Sequence, residues 1–298
     1  MKRSDYLNSP YVAGFAAYLS ALCDGSVPLD HSYTISLRPW AKHLGEKLAN
    51  DRLLRLPTLH DALQMYFWIA EEAEDADASE IATSELPESS NYELNAKAIA
   101  ALENQLRDAL QRRSEIDVLV ASTKILDWGK VYRGSLSWLL RKYDAGLLYS
   151  TINDGVALLV ADDDDQIHRF DQNDLRMDSG TTKIFAFGSN GRSIIYDDRV
   201  AAALGLLVVR YLESLPATRR PGAVPEELQF MRGRRSDRNP STVQFRFPGR
   251  EKGPGLVHAR SNLRANWIIN SVVEKLNGAW DSRKIEAALF MIGYKIQN

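Results

Sequence analysis

Residues 177–205 read MDSGTTKIFAFGSNGRSIIYDDRVAAALG, and this stretch decides how the chain is built. Ser179-Gly180-Thr181-Thr182 has the composition of a tight turn and leads into a helical pattern over residues 181–187 that carries Lys183. Gly188-Ser189-Asn190-Gly191 ends that helix, because Gly and Asn tolerate the backbone conformations that stop one. The apolar triplet Ile194-Ile195-Tyr196 is extended and runs into Asp197. A second helix is expected over residues 199–214, with Val200, Leu204, Leu207 and Val208 on its buried side. Asp197 thus falls at a helix N-terminus, where the macrodipole favours negative charge. As a cap alone it contributes about 1 kcal/mol.

Working outward, helical periodicity continues on both sides. Upstream, Leu94, Ile99, Leu102, Leu106 and Leu110 give a long amphipathic stretch, and another helix is expected near residues 115–127 ahead of Trp128-Gly129. Residues 135–143 and 145–160 read as two more helices, and residues 260–276 and 282–294 as two that close the sequence. In the first ninety residues, Pro10 opens a stripe of Tyr11, Val12, Phe15, Ala16, Leu19 and Leu22. Thr58 has the character of an N-cap for a helix bearing Leu59, Leu63, Tyr66, Phe67 and Ile69. Strand signals are few, and Val243 to Phe247 is the clearest. The expected class is mainly α. The expected division is a helical N-terminal module over 1–71, an acidic linker or loop over 72–92, and a helical core over 93–298 containing an irregular Pro-, Gly- and Arg-rich loop at 216–258.

The composition, 45% hydrophobic and 26% charged over 298 residues, is that of an ordinary globular protein. A chain this long buries enough surface to fold without a disulfide or metal. Cys23, the only cysteine, excludes an internal disulfide and sits in an apolar run, where it reads as a small buried hydrophobe. No stretch approaches the roughly 18 consecutive apolar residues of a membrane helix. No apolar signal core follows the charged N-terminus, so the expectation is a cytoplasmic protein without a membrane partner.

A net charge of −2 conceals an uneven distribution. Residues 71–93 hold nine carboxylates and no Lys or Arg, which suits solvent or a basic protein partner. Residues 219–264 hold eleven Lys or Arg against four acids, a local excess of +7. Arg232, Arg234, Arg235 and Arg238 form its densest part, and Phe230, Phe245 and Phe247 are interleaved with the cations. That mixture suits a surface that tracks phosphates and stacks on bases, and it equally suits a solvated loop. Asp162 to Asp165 is a run of mutually repelling carboxylates that favours a solvated loop. It lacks the Gly and terminal Glu of a calcium-binding loop. Walker, dinucleotide-binding, zinc and nucleophile-elbow signatures are absent, and the five histidines show no ligand spacing. Neither a metal nor a cofactor is expected.

The segment quoted first resembles the core of the helix-hairpin-helix DNA glycosylase superfamily, in particular its divergent 8-oxoguanine-glycosylase-like members. Ser179-Gly180-Thr181-Thr182-Lys183 matches the hairpin and its lysine, and Ile194-Ile195-Tyr196-Asp197-Asp198-Arg199-Val200 matches the stretch holding the aspartate. Ile125-Leu126-Asp127-Trp128-Gly129 resembles a helix end of the same proteins, and the likeness covers roughly residues 120–215. It implies a helix-hairpin-helix core, with Asp197 stabilising an oxocarbenium-like sugar and Lys183 attacking the anomeric carbon. It also implies that Gly180, Thr181, Thr182 and Arg199 face the nucleic acid with Arg232, Arg234, Arg235 and Arg238. Trp128, Trp138 or Tyr196 would stack on a flipped base.

Two readings follow. One is a DNA-binding protein with base-excision (N-glycosylase) activity. The other is a non-catalytic DNA-binding or adaptor subunit of a DNA-repair or phage-defence assembly, docking a protein partner through the acidic segment or the N-terminal module. In the second, Asp197 is only a helix cap and Lys183 only a solvated or phosphate-facing lysine.

Overall fold

The computed structural model describes residues 1–35, 51–68, 91–132, 134–171, 175–249, 255–276 and 278–296. The chain is mainly α-helical, as its periodicity predicts. In order, the helices are α1 (Arg3–Asn8), α2 (Pro10–Cys23), α3 (Leu59–Gln64), α4 (Tyr92–Arg112), α5 (Glu115–Trp128), α6 (Ser135–Asp144), α7 (Leu148–Leu159), α8 (Thr181–Gly188), α9 (Asp198–Ser214), α10 (Leu256–Lys275) and α11 (Ser282–Ile292). A two-stranded antiparallel sheet, β1 (His31–Ile35) and β2 (Arg52–Leu56), lies between α2 and α3.

Local chemistry sets several of these boundaries. Thr58 and Asp61 form a reciprocal capping box at the start of α3. Ser114 caps α5, and Asp281 caps α11 by accepting from Lys284 N at 2.8 Å. The start of α7 has no cap of its own. Glu115, reaching across from α5, accepts from the amides of Leu148 and Tyr149 at 2.9 and 3.1 Å and does the same work.

The chain folds as two units. The first comprises Met1–Ser9, Ala96–Asp197 and Arg250–Asn270, and the second Pro10–Asn95, Asp198–Gly249 and Ser271–Asn298. This division differs from the sequential one expected at residues 72–92. The N-terminal helices cannot enclose their own apolar faces, so α2 packs on α9 and α3 on α11, elements more than a hundred residues away. All of 72–92 except Asn91 and Tyr92 lies outside the described residues.

In the first unit, α8 is the central helix. Every side chain from Thr181 to Phe187 is buried, as expected of a helix enclosed on all sides. It packs against α7 and α5. Gly155 of α7 permits the close approach, since a Cβ there would stand 2.3 Å from the Phe185 ring. The Asp162–Asp165 run is not simply solvated. It exchanges backbone hydrogen bonds with the N-terminal segment: Arg3 N to Asp162 O at 2.7 Å, and Asp164 N to Met1 O at 3.1 Å.

In the second unit, β1 alternates buried and exposed residues, and its inward side chains satisfy the carbonyl end of α11. Tyr33 Oη donates to Met291 O at 2.6 Å, and His31 Nε2 lies 3.1 Å from the carbonyls of Ile292 and Lys295. The helical reading of the first ninety residues missed this hairpin. The short strand expected at Val243 to Phe247 is irregular instead, with Phe245 and Phe247 turned inward.

Candidate functional site

The first turn of α8 carries Lys183, and the chain after α8 returns to put Asp197 beside it. Lys183 Nζ lies 3.9 Å from Asp197 Oδ2 and donates to the Ser179 carbonyl at 3.1 Å. Lys183 is only 5% exposed, and Asp197 is half-buried. Gly129, the residue that ends α5, makes room for the lysine: a Cβ there would stand 2.5 Å from Lys183 Cδ and 2.7 Å from Cε. The fourteen-residue separation between the expected lysine and aspartate thus closes into one pair, of a buried lysine and a half-buried aspartate.

The turn before α8 is organised by Asp178, which sequence reasoning did not single out. Its carboxylate accepts from the amides of Gly180 and Thr181 at 2.8 and 3.0 Å and from Ser135 Oγ at 3.0 Å, and it pairs with Arg176 Nε. Burial pushes this carboxyl up, but the Thr181 amide, the Arg176 guanidinium and the Gly180 amide outweigh it and hold the group below the usual aspartate range. Asp178 also corrects the expectation that Gly180, Thr181 and Thr182 turn their amides to the nucleic acid. Those of Gly180 and Thr181 already have an internal anion, and Gly180, Thr181 and Thr182 are buried. Gly180 faces Ser135, whose Oγ would stand 2.4 Å from an added Cβ. A signal was present in the sequence: an Asp two residues before a Gly-Thr turn is a standard way to satisfy the first amides of a helix.

After the turn and bend over 189–193, residues 194–197 form no regular element and, among the described residues, pair with no strand. Side chains of α10 serve this segment instead. Asn262 Nδ2 donates to Ile194 O at 3.0 Å. Asn266 Oδ1 accepts from Ile194 N at 2.9 Å, and its Nδ2 donates to Leu159 O and Ser193 Oγ, both at 2.9 Å. Asn270 Nδ2 donates to Arg192 O at 2.9 Å, and His258 Nε2 contacts Tyr196 O at 2.7 Å. The residues 258, 262, 266 and 270 recur every four positions, which places them on one helix face. That polar stripe is legible in the sequence as His258, Asn262, Asn266 and Asn270.

The predicted arginines divide by environment. In the second unit, Arg199 is clasped by aromatic rings, its guanidinium 4.1 Å from the Phe290 centroid and 4.5 Å from that of Tyr294. This geometry gives it a packing role rather than the expected surface role. Arg235 pairs with Asp237 through two hydrogen bonds, at 3.0 and 2.7 Å. Arg238 donates to Tyr294 O at 3.1 Å, and half-buried Arg232 donates to Gly233 O. Arg234 presents its side chain to solvent, as do Arg219, Arg220 and Arg246. The aromatics do not follow the expectation of a stacking surface. Phe230, Phe245 and Phe247 are core residues, and Trp128, Trp138 and Tyr196 are buried as well.

His31 and His258 are buried against backbone carbonyls, and His168 and His60 lie at exposed positions; His43 falls outside the described residues. Among the described residues no group of three or more His, Cys, Asp or Glu is disposed around a metal position, and no helix is long and apolar enough to cross a membrane. No protein-family model, no curated protein and no solved structure matches this chain.

Proposed function

We propose that the chain is a DNA-binding protein with N-glycosylase activity, built on a helix-hairpin-helix-type core, in which Lys183 and Asp197 are the catalytic residues. The observation that supports this reading is the pairing of the two side chains at 3.9 Å. The unprotonated Lys183 amine attacks C1′ as the bond from C1′ to the base breaks, and the base leaves with the electron pair and takes up a proton. Positive charge develops on the sugar, and the Asp197 carboxylate stabilises it. Opening of the sugar ring, with a proton delivered to O4′, leaves an imine between Nζ and C1′. Water then releases the lysine and an abasic aldehyde. Exposed Arg219, Arg220, Arg234 and Arg246 supply phosphate contacts, while the more enclosed Arg232 and Arg238, with exposed Arg235 paired to Asp237, shape the loop that carries them.

The test is base release from a panel of duplexes carrying oxidised, alkylated and deaminated bases. Asn keeps an oxygen able to cap α9 but has no charge. Asp197→Asn should therefore bind duplex normally and lose about 10²–10³-fold in base release. Lys183→Ala should abolish the covalent adduct trapped by borohydride. Full base release by Asp197→Asn would reject the assignment.

One feature favours a second reading. Lys183 Nζ already donates to Ser179 O, and the residue is almost entirely enclosed. A structural ion pair in a non-catalytic DNA-binding or adaptor subunit has the same geometry. That reading predicts no base release by the wild type from any duplex in the panel, with salt-dependent DNA binding retained.

A further inference from the structure

We propose that Thr182 and His258 are positioning residues that hold the Tyr196 peptide between them and so set the approach of Asp197 to Lys183; this rests on the site reading above. Tyr196 is the residue before Asp197, and Thr182 is the residue before Lys183. One hydrogen bond links these neighbours directly: Tyr196 N donates to Thr182 Oγ1 at 2.9 Å. From the other side His258 Nε2 meets Tyr196 O at 2.7 Å. A carbonyl only accepts, so Nε2 carries the proton, which fixes the tautomer. Thr182, Tyr196 and His258 are all buried, so no water competes for either bond.

The preceding residues cannot swing either. Ile194 is held through its N–H by Asn266 and through its carbonyl by Asn262. Asn266 is itself fixed by Leu159 O and Ser193 Oγ. The peptide leading into Asp197 is thus anchored on both edges by side chains from two helices, α8 and α10. In a sheet a neighbouring strand would do this. Here the anchor on the α8 side is one residue from the lysine, so displacement of Tyr196 changes the Lys183–Asp197 separation directly. The hydroxyl of Thr182 therefore serves the spacing of the pair, in place of the nucleic-acid-facing role that the resemblance implied.

The experiment uses Thr182→Val, which keeps the shape and removes the acceptor, and Thr182→Ser, which restores it. Thr182→Val should lower kcat for base release by about 10- to 100-fold, the range expected for a displacement near 1 Å, with duplex Kd unchanged within about twofold. Thr182→Ser should recover most of the rate. In the Asp197→Asn background Thr182→Val should have no further effect on kcat, because it acts through Asp197. The ¹³Cε resonance of Lys183 gives a readout without activity, and Thr182→Val should move it as Asp197→Asn does, while Thr182→Ser leaves it in place. If Thr182→Val does not fold, His258→Leu removes the opposing bond and is read identically. An unmoved resonance, a wild-type rate, a loss that serine does not recover or a full loss persisting with Asp197→Asn would overturn the proposal. A wild type without base release, whose Lys183 resonance still moves with Asp197→Asn and Thr182→Val but not with Thr182→Ser, would reject the glycosylase reading and leave the positioning role standing.

Discussion

Removing the carboxylate of Asp178 should destabilise the first unit more than loss of an ordinary surface ion pair would. Asp178→Ala strands the Gly180 and Thr181 amides, both in buried residues, and each unsatisfied donor costs about 1–3 kcal/mol. It also strips Arg176 of its carboxylate partner and Ser135 of an acceptor. A loss of about 3–5 kcal/mol follows, the range for breaking a buried pair by removing one member. Asp178→Asn keeps an oxygen facing the amides and should lose only about 1–2 kcal/mol. Urea unfolding followed by far-UV circular dichroism reads both as shifts of the midpoint at unchanged slope. The pH dependence has a definite sign. The folded carboxyl titrates below its unfolded value of about 3.9, so its contribution is complete above that value and is lost as pH falls through the depressed folded one. The gap between wild type and Asp178→Asn should therefore be widest near neutrality and narrow steadily below pH ~4. A loss below about 1 kcal/mol for Asp178→Ala, or a gap that widens on acidification, would refute the assignment of Asp178 as the organiser of this turn.

Gly293→Ala places a Cβ 1.8 Å from the Arg199 carbonyl oxygen, and backbone on both sides cannot yield cheaply. It should cost at least about 2–3 kcal/mol and lower Tm measurably by calorimetry; an unchanged Tm would show that α9 and α11 are less closely packed. Burial, assisted by neighbouring Asp24, pushes the Cys23 thiol up to about 12, so the native protein should not react with a disulfide reagent at pH 8 and should react fully in urea. Rapid modification without denaturant would place Cys23 at the surface.

The sequence by itself determined what depends on neighbours a few residues away. Helical periodicity located α8 and α9, and the chemistry of Thr58 located the start of α3. An apolar run put Cys23 inside. Lys183 and Asp197 were singled out together only through the family resemblance, and their approach to 3.9 Å is a matter of tertiary structure. What only the tertiary structure decided is which polar groups already have a partner. Thr181, Thr182, Arg199 and Phe245 have the residue types of a nucleic-acid surface, and distant parts of the chain enclose or engage them: Ser135 faces the Gly180 turn, the Tyr196 amide engages Thr182, and Phe290 and Tyr294 clasp Arg199. The β1–β2 hairpin and the assembly of each unit from separated stretches of the chain escaped for the same reason. A local pattern records the period of an element, whereas burial depends on what arrives from a hundred residues away to cover it.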